Sequence, residues 1–251
     1  MNIYETLLTD SSSGKKKFVV LIDPDKYTPE LLEHVVKLSV EAGVDYFFLG
    51  GSLLITDNHT RIISTIRENS GIPVVLFPGN NLQLNNKADG ILLLSLISGR
   101  NPEMLIGRHV ISAPYLKASS LEILSTGYML IESGCATAVN YMSNTTPIPA
   151  DKDEIAVCTA MAGEMLGLKL IYMDAGSGAM KPVSEAMIGK VKEAVRVPLI
   201  IGGGITTPLL AEKAFNAGAD VVVVGNAIEK NPELITQMAA ICEMQNAKCK
   251  M

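Results

Sequence analysis

Short apolar runs recur along this chain, each closed by glycine or a polar residue and most followed by a stretch of helical periodicity. The runs fall at residues 18–22, 46–49, 72–77, 90–94, 128–131, 169–173, 197–201 and 221–224. They are rich in Val, Ile and Leu and too short for helices, the pattern of strands buried on both faces. Helical spacing follows at about 29–42, 59–69, 102–111, 151–166 and 183–195. Another helix starts at Thr206 or Thr207 with Pro208 and runs to about Ala217, where Gly218 stops it. A last helix starts near Pro232, and the tail AKCKM is expected to fray. Residues 1–17 read as a short helix and a polar turn. The stretch 80–86 is polar and poor in helix formers, so a loop is expected in place of a third helix. Eight parallel strands with helices between them predict a (β/α)8 TIM barrel. No composition shift marks a boundary, and one domain over 1–251 is expected.

The strand ends carry the candidate chemistry. They are Asp23, Ser52, Asn80, Ser95, Glu132, Asp174, Gly203 and Gly225. Active sites of such barrels sit at these C-terminal ends, and the loops after strands 7 and 8 commonly hold a phosphate. Here those loops are Gly202-Gly203-Gly204 and Gly225-Asn226. Glycine lets backbone N–H groups approach an anion; the alternative is that these glycines only permit tight turns. Asp174, beside Ala175-Gly176-Ser177-Gly178, is a candidate general base next to that cup. Asp23 suits a hard cation such as Mg2+, with Ser52 offering a hydroxyl to metal or phosphate. The competing role for Asp23, Asp25 and Ser52 is helix capping. Arg100, Arg108 and His109 either meet a diphosphate or lie on ordinary surface. His59 reads as a surface or cap residue, and Lys15-Lys16-Lys17 as a solvated charge run, with a membrane-surface role as the lesser reading. Residues 133–149 are polar, aperiodic and long for a barrel loop, as lids and binding loops are. The Met-rich stripe at 156–166 reads as core or subunit interface.

Bulk properties narrow the class. The 251 residues are 48% hydrophobic and 19% charged, enough for a large core. A net charge of −5 argues against nucleic-acid binding. The four cysteines form no CxxC pair, and with no signal peptide they read as reduced thiols of a cytoplasmic protein. No apolar run reaches the ~20 residues that span a bilayer.

The motifs LIDPDK (21–26), FLGGS (48–52), LFPGN (76–80), YMDAGSG (172–178), IIGGGI (200–205) and VVVGNAIE (222–229) occur in this order. Together they resemble the geranylgeranylglyceryl phosphate synthase family, which includes the heptaprenylglyceryl phosphate synthases. The resemblance spans about residues 18–230. It implies a prenyltransferase that joins sn-glycerol 1-phosphate to an isoprenyl diphosphate, geranylgeranyl diphosphate above all, and releases diphosphate. It also implies that Asp23 and Ser52 hold Mg2+ with the leaving diphosphate. Tyr172, Met173, Asp174, Ala175, Gly176, Ser177, Gly178, Gly203, Gly204, Gly225 and Asn226 would bind glycerol phosphate, with Asp174 as base. The family's pattern has Glu at that position, one methylene longer. The resemblance further implies a homo-oligomer and transient contact with a membrane surface to collect a lipid diphosphate. Tyr115, Tyr128 and Tyr141 are candidates for the walls of the prenyl channel, or simply packing residues. Two alternatives share the cup: another barrel enzyme acting on a phosphorylated small molecule, and a non-catalytic phosphate-ligand sensor.

Overall fold

In a computed structural model the chain closes an eight-stranded parallel barrel, β1 (Lys17–Ile22), β2 (Tyr46–Leu49), β3 (Val74–Leu76), β4 (Gly90–Leu96), β5 (Glu122–Leu130), β6 (Leu170–Asp174), β7 (Leu199–Gly202) and β8 (Val221–Val224), each strand paired with its sequence neighbours and β8 with β1. The structure describes residues 2–249, the side chain of Asn81 excepted. Helices α1 (Ile3–Ser12), α2 (Pro29–Glu41), α3 (His59–Asn69), α4 (Arg108–Ala118), α5 (Ala138–Ser143), α6 (Asp153–Met165), α7 (Glu185–Ala194), α8 (Pro208–Ala217), α9 (Asn226–Lys230) and α10 (Leu234–Lys248) complete it. Part of the expected frayed tail thus belongs to α10, and Lys250 and Met251 lie outside the described residues. No described helix is long and apolar enough to cross a membrane.

Alternation along the strands splits the core into two layers. Val19, Phe48, Val75, Leu92, Tyr172, Ile200 and Val223 fill the lumen, while Val20, Phe47, Val74, Ile171, Ile201 and Val222 face the helices. The lower mouth is plugged by α1, whose Ile3 and Leu7 join the luminal layer. The Glu122 carboxylate accepts the Ile3 and Tyr4 N–H groups at 2.6 and 2.7 Å, satisfying donors that a helix start leaves open.

The predicted gap in the third helix is present: between β3 and β4 there is one 3-10 turn, Asn81–Gln83. Three expectations are corrected. Strand β5 begins at Glu122 rather than 128; Ser125, Thr126 and Gly127 interrupt its apolar run, yet buried Thr126 satisfies its hydroxyl on Leu124 O at 2.8 Å. Helix α4 continues through Pro114 to Ala118 rather than stopping at 111. The lysine run is not solvated as a whole: Lys17 is buried between Asp10 and Asp45 at 2.8 and 2.9 Å, and Lys16 lies 3.8 Å from buried Asp220. Only Lys15 is well exposed, because a cation at the strand start can stay buried only when carboxylates face it.

Candidate active site

The period of two along β6 decides which of the predicted residues can act. Tyr172 and Asp174 point into the lumen; Met173 and Ala175 point into the layer between strands and helices. Met173 and Ala175 therefore contribute no side chain to the site. A cavity of about 960 Å3 opens at the C-terminal ends of the strands. Its wall includes Tyr172, Asp174, Gly176, Ser177, Gly178, Gly203, Gly204, Gly225, Asn226, Asp23 and Ser52, the remaining predicted residues.

Asp174 ends β6, level with Leu130 and Gly202 on its neighbours. Its Oδ2 accepts the Tyr128 hydroxyl at 2.6 Å and its Oδ1 accepts the Gly176 N–H at 2.7 Å. Burial raises its pKa, and the two donors pull it only partly back. Beneath it lies an aromatic floor: Phe77 stacks on Tyr172 at 5.3 Å between centroids, and Tyr128 meets Tyr172 edge-on at 5.5 Å. Tyr128 thus lines the cavity, whereas Tyr115 and Tyr141 are 70% and 89% exposed and lie off its wall.

The cup depends on missing side chains. Gly203 has φ +75°, and a Cβ there would sit 2.5 Å from Asp174 Oδ1 and 2.6 Å from Gly176 N. Gly176 has φ +89°, and a Cβ there would strike Thr137 at the start of α5. Short α9 begins directly after Gly225, and the Ser177 hydroxyl donates to Asn226 Oδ1 at 3.1 Å, tying the β6 and β8 loops together. Loops after the last strands with a short extra helix form the usual phosphate cradle of these barrels.

Across the mouth, Asp23 leaves β1 half-buried, its Oδ1 accepting the Asp25 N–H at 3.1 Å. Burial raises its pKa, and the Asp25 charge adds to this while the Asp25 N–H and Lys26 oppose it. Glu229, on α9, is also raised by burial and then by the Asp23 charge, so two carboxylates share a partly dry corner. Ser52 lies on the same wall. Neither Asp25 nor Ser52 caps a helix through its side chain. Thr28 caps α2, and Asn58 stands at the α3 cap position without a side-chain bond. Asp25 instead clamps the β2 loop, accepting N–H groups of Ile55 and Thr56 at 2.7 and 3.0 Å and the Thr56 hydroxyl. Among the described residues no three His, Cys, Asp or Glu side chains converge as a metal cluster.

Arg108 lines the cavity and donates to Gly79 O at 2.9 Å; His109 lines it too, with Nε2 2.8 Å from Leu94 O. Arg100 lies outside, on the Gly99 carbonyl. His59 is buried, 4% exposed, contrary to the surface reading. The long segment 133–149 folds over the site as α5, with Ala138, Val139 and Met142 on the cavity wall and a β-bridge between Ile131 and Ile148 closing its base. Where the third helix is missing, the cavity extends along apolar side chains of the outer layer, Leu84, Ile91, Leu93 and Leu116, beneath α4.

Sequence reasoning missed the Tyr128–Asp174 bond, the Glu229 carboxylate and Gln83. Buried Gln83 donates to Gly51 O at 2.9 Å and accepts the Gly79 N–H at 3.1 Å, joining the β2 and β3 loops. The one signal in the sequence was position: Tyr128 and Glu229 both lie within a few residues of a strand's C-terminal end.

The profile of the PcrB family matches residues 12–245. A geranylgeranylglyceryl phosphate synthase of Chitinophaga pinensis is 55% identical over 240 residues, 94% of either chain. One from Spirosoma linguale is 54% identical over 237 residues, 94% of this chain and 95% of that one. Among solved structures, a (S)-3-O-geranylgeranylglyceryl phosphate synthase from Thermoplasma acidophilum, in complex with its substrate sn-glycerol-1-phosphate, superposes with a TM-score of 0.90 at 30% identity, covering 97% of this chain and 99% of that one.

Proposed function

Because the chain belongs to the PcrB family, we propose that it is a prenyltransferase joining sn-glycerol 1-phosphate to geranylgeranyl diphosphate, with release of diphosphate and formation of a prenylglyceryl phosphate ether. One observation carries the reading. A single cavity joins the glycine cup, the Asp174 carboxylate, the Asp23 corner and an apolar extension beneath α4. An enzyme of small phosphorylated metabolites, or a sensor of them, has no use for that extension.

In this reading the Gly176–Gly178, Gly203-Gly204 and Gly225-Asn226 loops hold the phosphate of glycerol phosphate, which fixes its hydroxyl near Asp174. Orientation of this kind supplies much of the rate in a two-substrate reaction. Asp174 takes the hydroxyl proton as oxygen bonds to the allylic carbon and the carbon–diphosphate bond breaks. A carboxylate whose pKa burial has raised is a better base than a solvated one, and the Tyr128 and Gly176 donors fix its direction. Arg108 and exposed Lys26 and Lys230 face the diphosphate end as cationic groups. Asp23 and Ser52, with Glu229 nearby, offer oxygen donors for Mg2+, whose charge would offset the two partly dry carboxylates. When bound, the ion would act as a Lewis acid on the leaving diphosphate. Four free thiols fit a cytoplasmic setting. The exposed apolar stripe Ile106, Val110, Ile111 and Tyr115 on and beside α4 gives a homo-oligomer a contact face.

The test is a transfer assay with glycerol 1-phosphate, Mg2+ and a ladder of isoprenyl diphosphates, read by mass spectrometry of extracted lipid. The expected result is a prenyl ether, greatest on the geranylgeranyl rung and lost with a chelator. Absence of product on every rung would overturn the proposal.

A further inference from the structure

Large apolar side chains stand in solvent around the cavity mouth. Leu53 and Ile55 follow β2, Leu82 follows β3, Tyr141 and Met142 follow β5, and Met180 follows β6. Ile55, Leu82, Tyr141 and Met180 are 87, 93, 89 and 73% exposed. Parallel strands send all these loops to one end of the barrel, so the side chains share a face although they are far apart in sequence. Solitary exposed apolar residues are ordinary; several on one face mark an interaction surface. This rim is also continuous with the interior, because Leu53, Ile55 and Met142 line the cavity as well. The charges around it are mixed: exposed Lys26, Lys181 and Lys230, with exposed Asp57 and Glu132. A rim of this kind matches the headgroup and upper acyl region of a bilayer, where apolar tips are buried and both signs of charge stay hydrated.

We propose that this rim docks on a lipid bilayer. The inference rests on the prenyltransferase reading and gives the rim a role in it, since an amphiphile can then pass between membrane and cavity without exposing its tail to water. With mixed charge, apolar insertion supplies most of the attachment, and anionic lipid strengthens it only modestly.

The first test is flotation of the whole protein with vesicles of phosphatidylethanolamine containing a minority of phosphatidylglycerol. The protein is expected to float, and the combined variant Leu82→Glu, Tyr141→Ser, Met180→Glu to remain behind, with about a tenfold loss of bound fraction. None of these three side chains lines the cavity. The variant's kcat with a short, water-soluble allylic diphosphate should equal that of the parent, while its KM for a long donor presented in vesicles rises. A second measurement needs no disruptive change. The chain contains no Trp, so Leu82→Trp provides a single fluorophore on the rim and Val40→Trp one near the opposite end, at the close of α2. Vesicles should shift emission to the blue at position 82 and leave position 40 unchanged. Equal flotation of parent and variant, or no shift at position 82, overturns the proposal. So does a lower mass of the rim variant in solution without flotation of the parent, which would make the rim a contact between copies. A blue shift at position 82 with no transfer product on any donor would retain the docking surface and remove the reaction; product from soluble donors with no shift would do the reverse.

Discussion

At the scale of residues the site turns on one carboxylate held by two donors. Tyr128 donates to Asp174 and thereby lowers a pKa that burial has raised. Tyr128→Phe removes that donor, so the pKa rises further. The base acts deprotonated, and its activity falls as pH drops through the pKa. The acid side of the kcat/KM profile should therefore move to higher pH in the variant, with about tenfold more loss at pH 6 than at pH 9. A profile merely lowered at every pH would reduce Tyr128 to packing. Asp174→Asn should cut kcat by about 10²–10⁴ while glycerol 1-phosphate still binds by calorimetry. The same change bears on stability. The folded pKa of Asp174 lies above its unfolded value, so its contribution is fully present below the unfolded pKa and is lost as pH rises through the folded one. Asparagine does not titrate. The variant should melt above the parent at pH 8, with the gap closing toward pH 4; a gap independent of pH would contradict the burial argument.

At the scale of elements the decisive feature is the missing third helix, because its place is where the cavity leaves the lumen and runs beneath α4. Ser112 is buried on the inner side of α4, its hydroxyl bonded to Arg108 O at 2.9 Å, and it lines that extension. Ser112→Trp should block it. Excluding about three methylenes at about 0.8 kcal/mol each would lower kcat/KM for the geranylgeranyl donor roughly fiftyfold. Shorter donors should lose little, and a uniform loss across the ladder would show that the tail lies elsewhere. The gap was legible because 80–86 is short and four of its seven residues are asparagine, a poor helix former. The strand ends were legible because each apolar run stops at a polar or glycine residue, and that placed Asp23, Ser52, Asp174 and the glycines on one face. Other features were hidden for physical reasons. Asp174 and Tyr128 are 46 positions apart, and only the β5–β6 register brings the hydroxyl to the carboxylate. Lys17 looks solvated until the fold sets Asp45 against it across 28 positions. Helix α4 looks finished at 111 because Pro114 lacks an N–H, but packing of Ser112 and Leu116 carries the helix past it.

At the scale of the whole molecule the cavity rim and the outer face of α4 both leave apolar surface in solvent, and they call for different partners. The α4 face is apolar: Ile106, Val110, Ile111 and Tyr115 are 60, 66, 61 and 70% exposed, and Ile111 and Tyr115 are four positions apart, neighbours on the helix surface. None of the four lines the cavity, although Arg108 and His109 beside them do, so a second copy can cover the stripe without filling the cavity. A two-fold contact sets the stripe against itself, and apolar residues at the centre of such an interface dominate its energy. Val110→Asp with Tyr115→Asp would place carboxylates in that centre, where an unpaired charge is strongly disfavoured. The expected outcome is a lower mass by light scattering or sedimentation, with circular dichroism unchanged because both side chains point away from the core. Vesicle flotation through the rim should survive, since the two surfaces are separate. A mass equal to that of the parent would remove α4 as the subunit contact and turn attention to Ile155, Met165 and Leu166 at the two ends of α6, which are 49, 79 and 79% exposed.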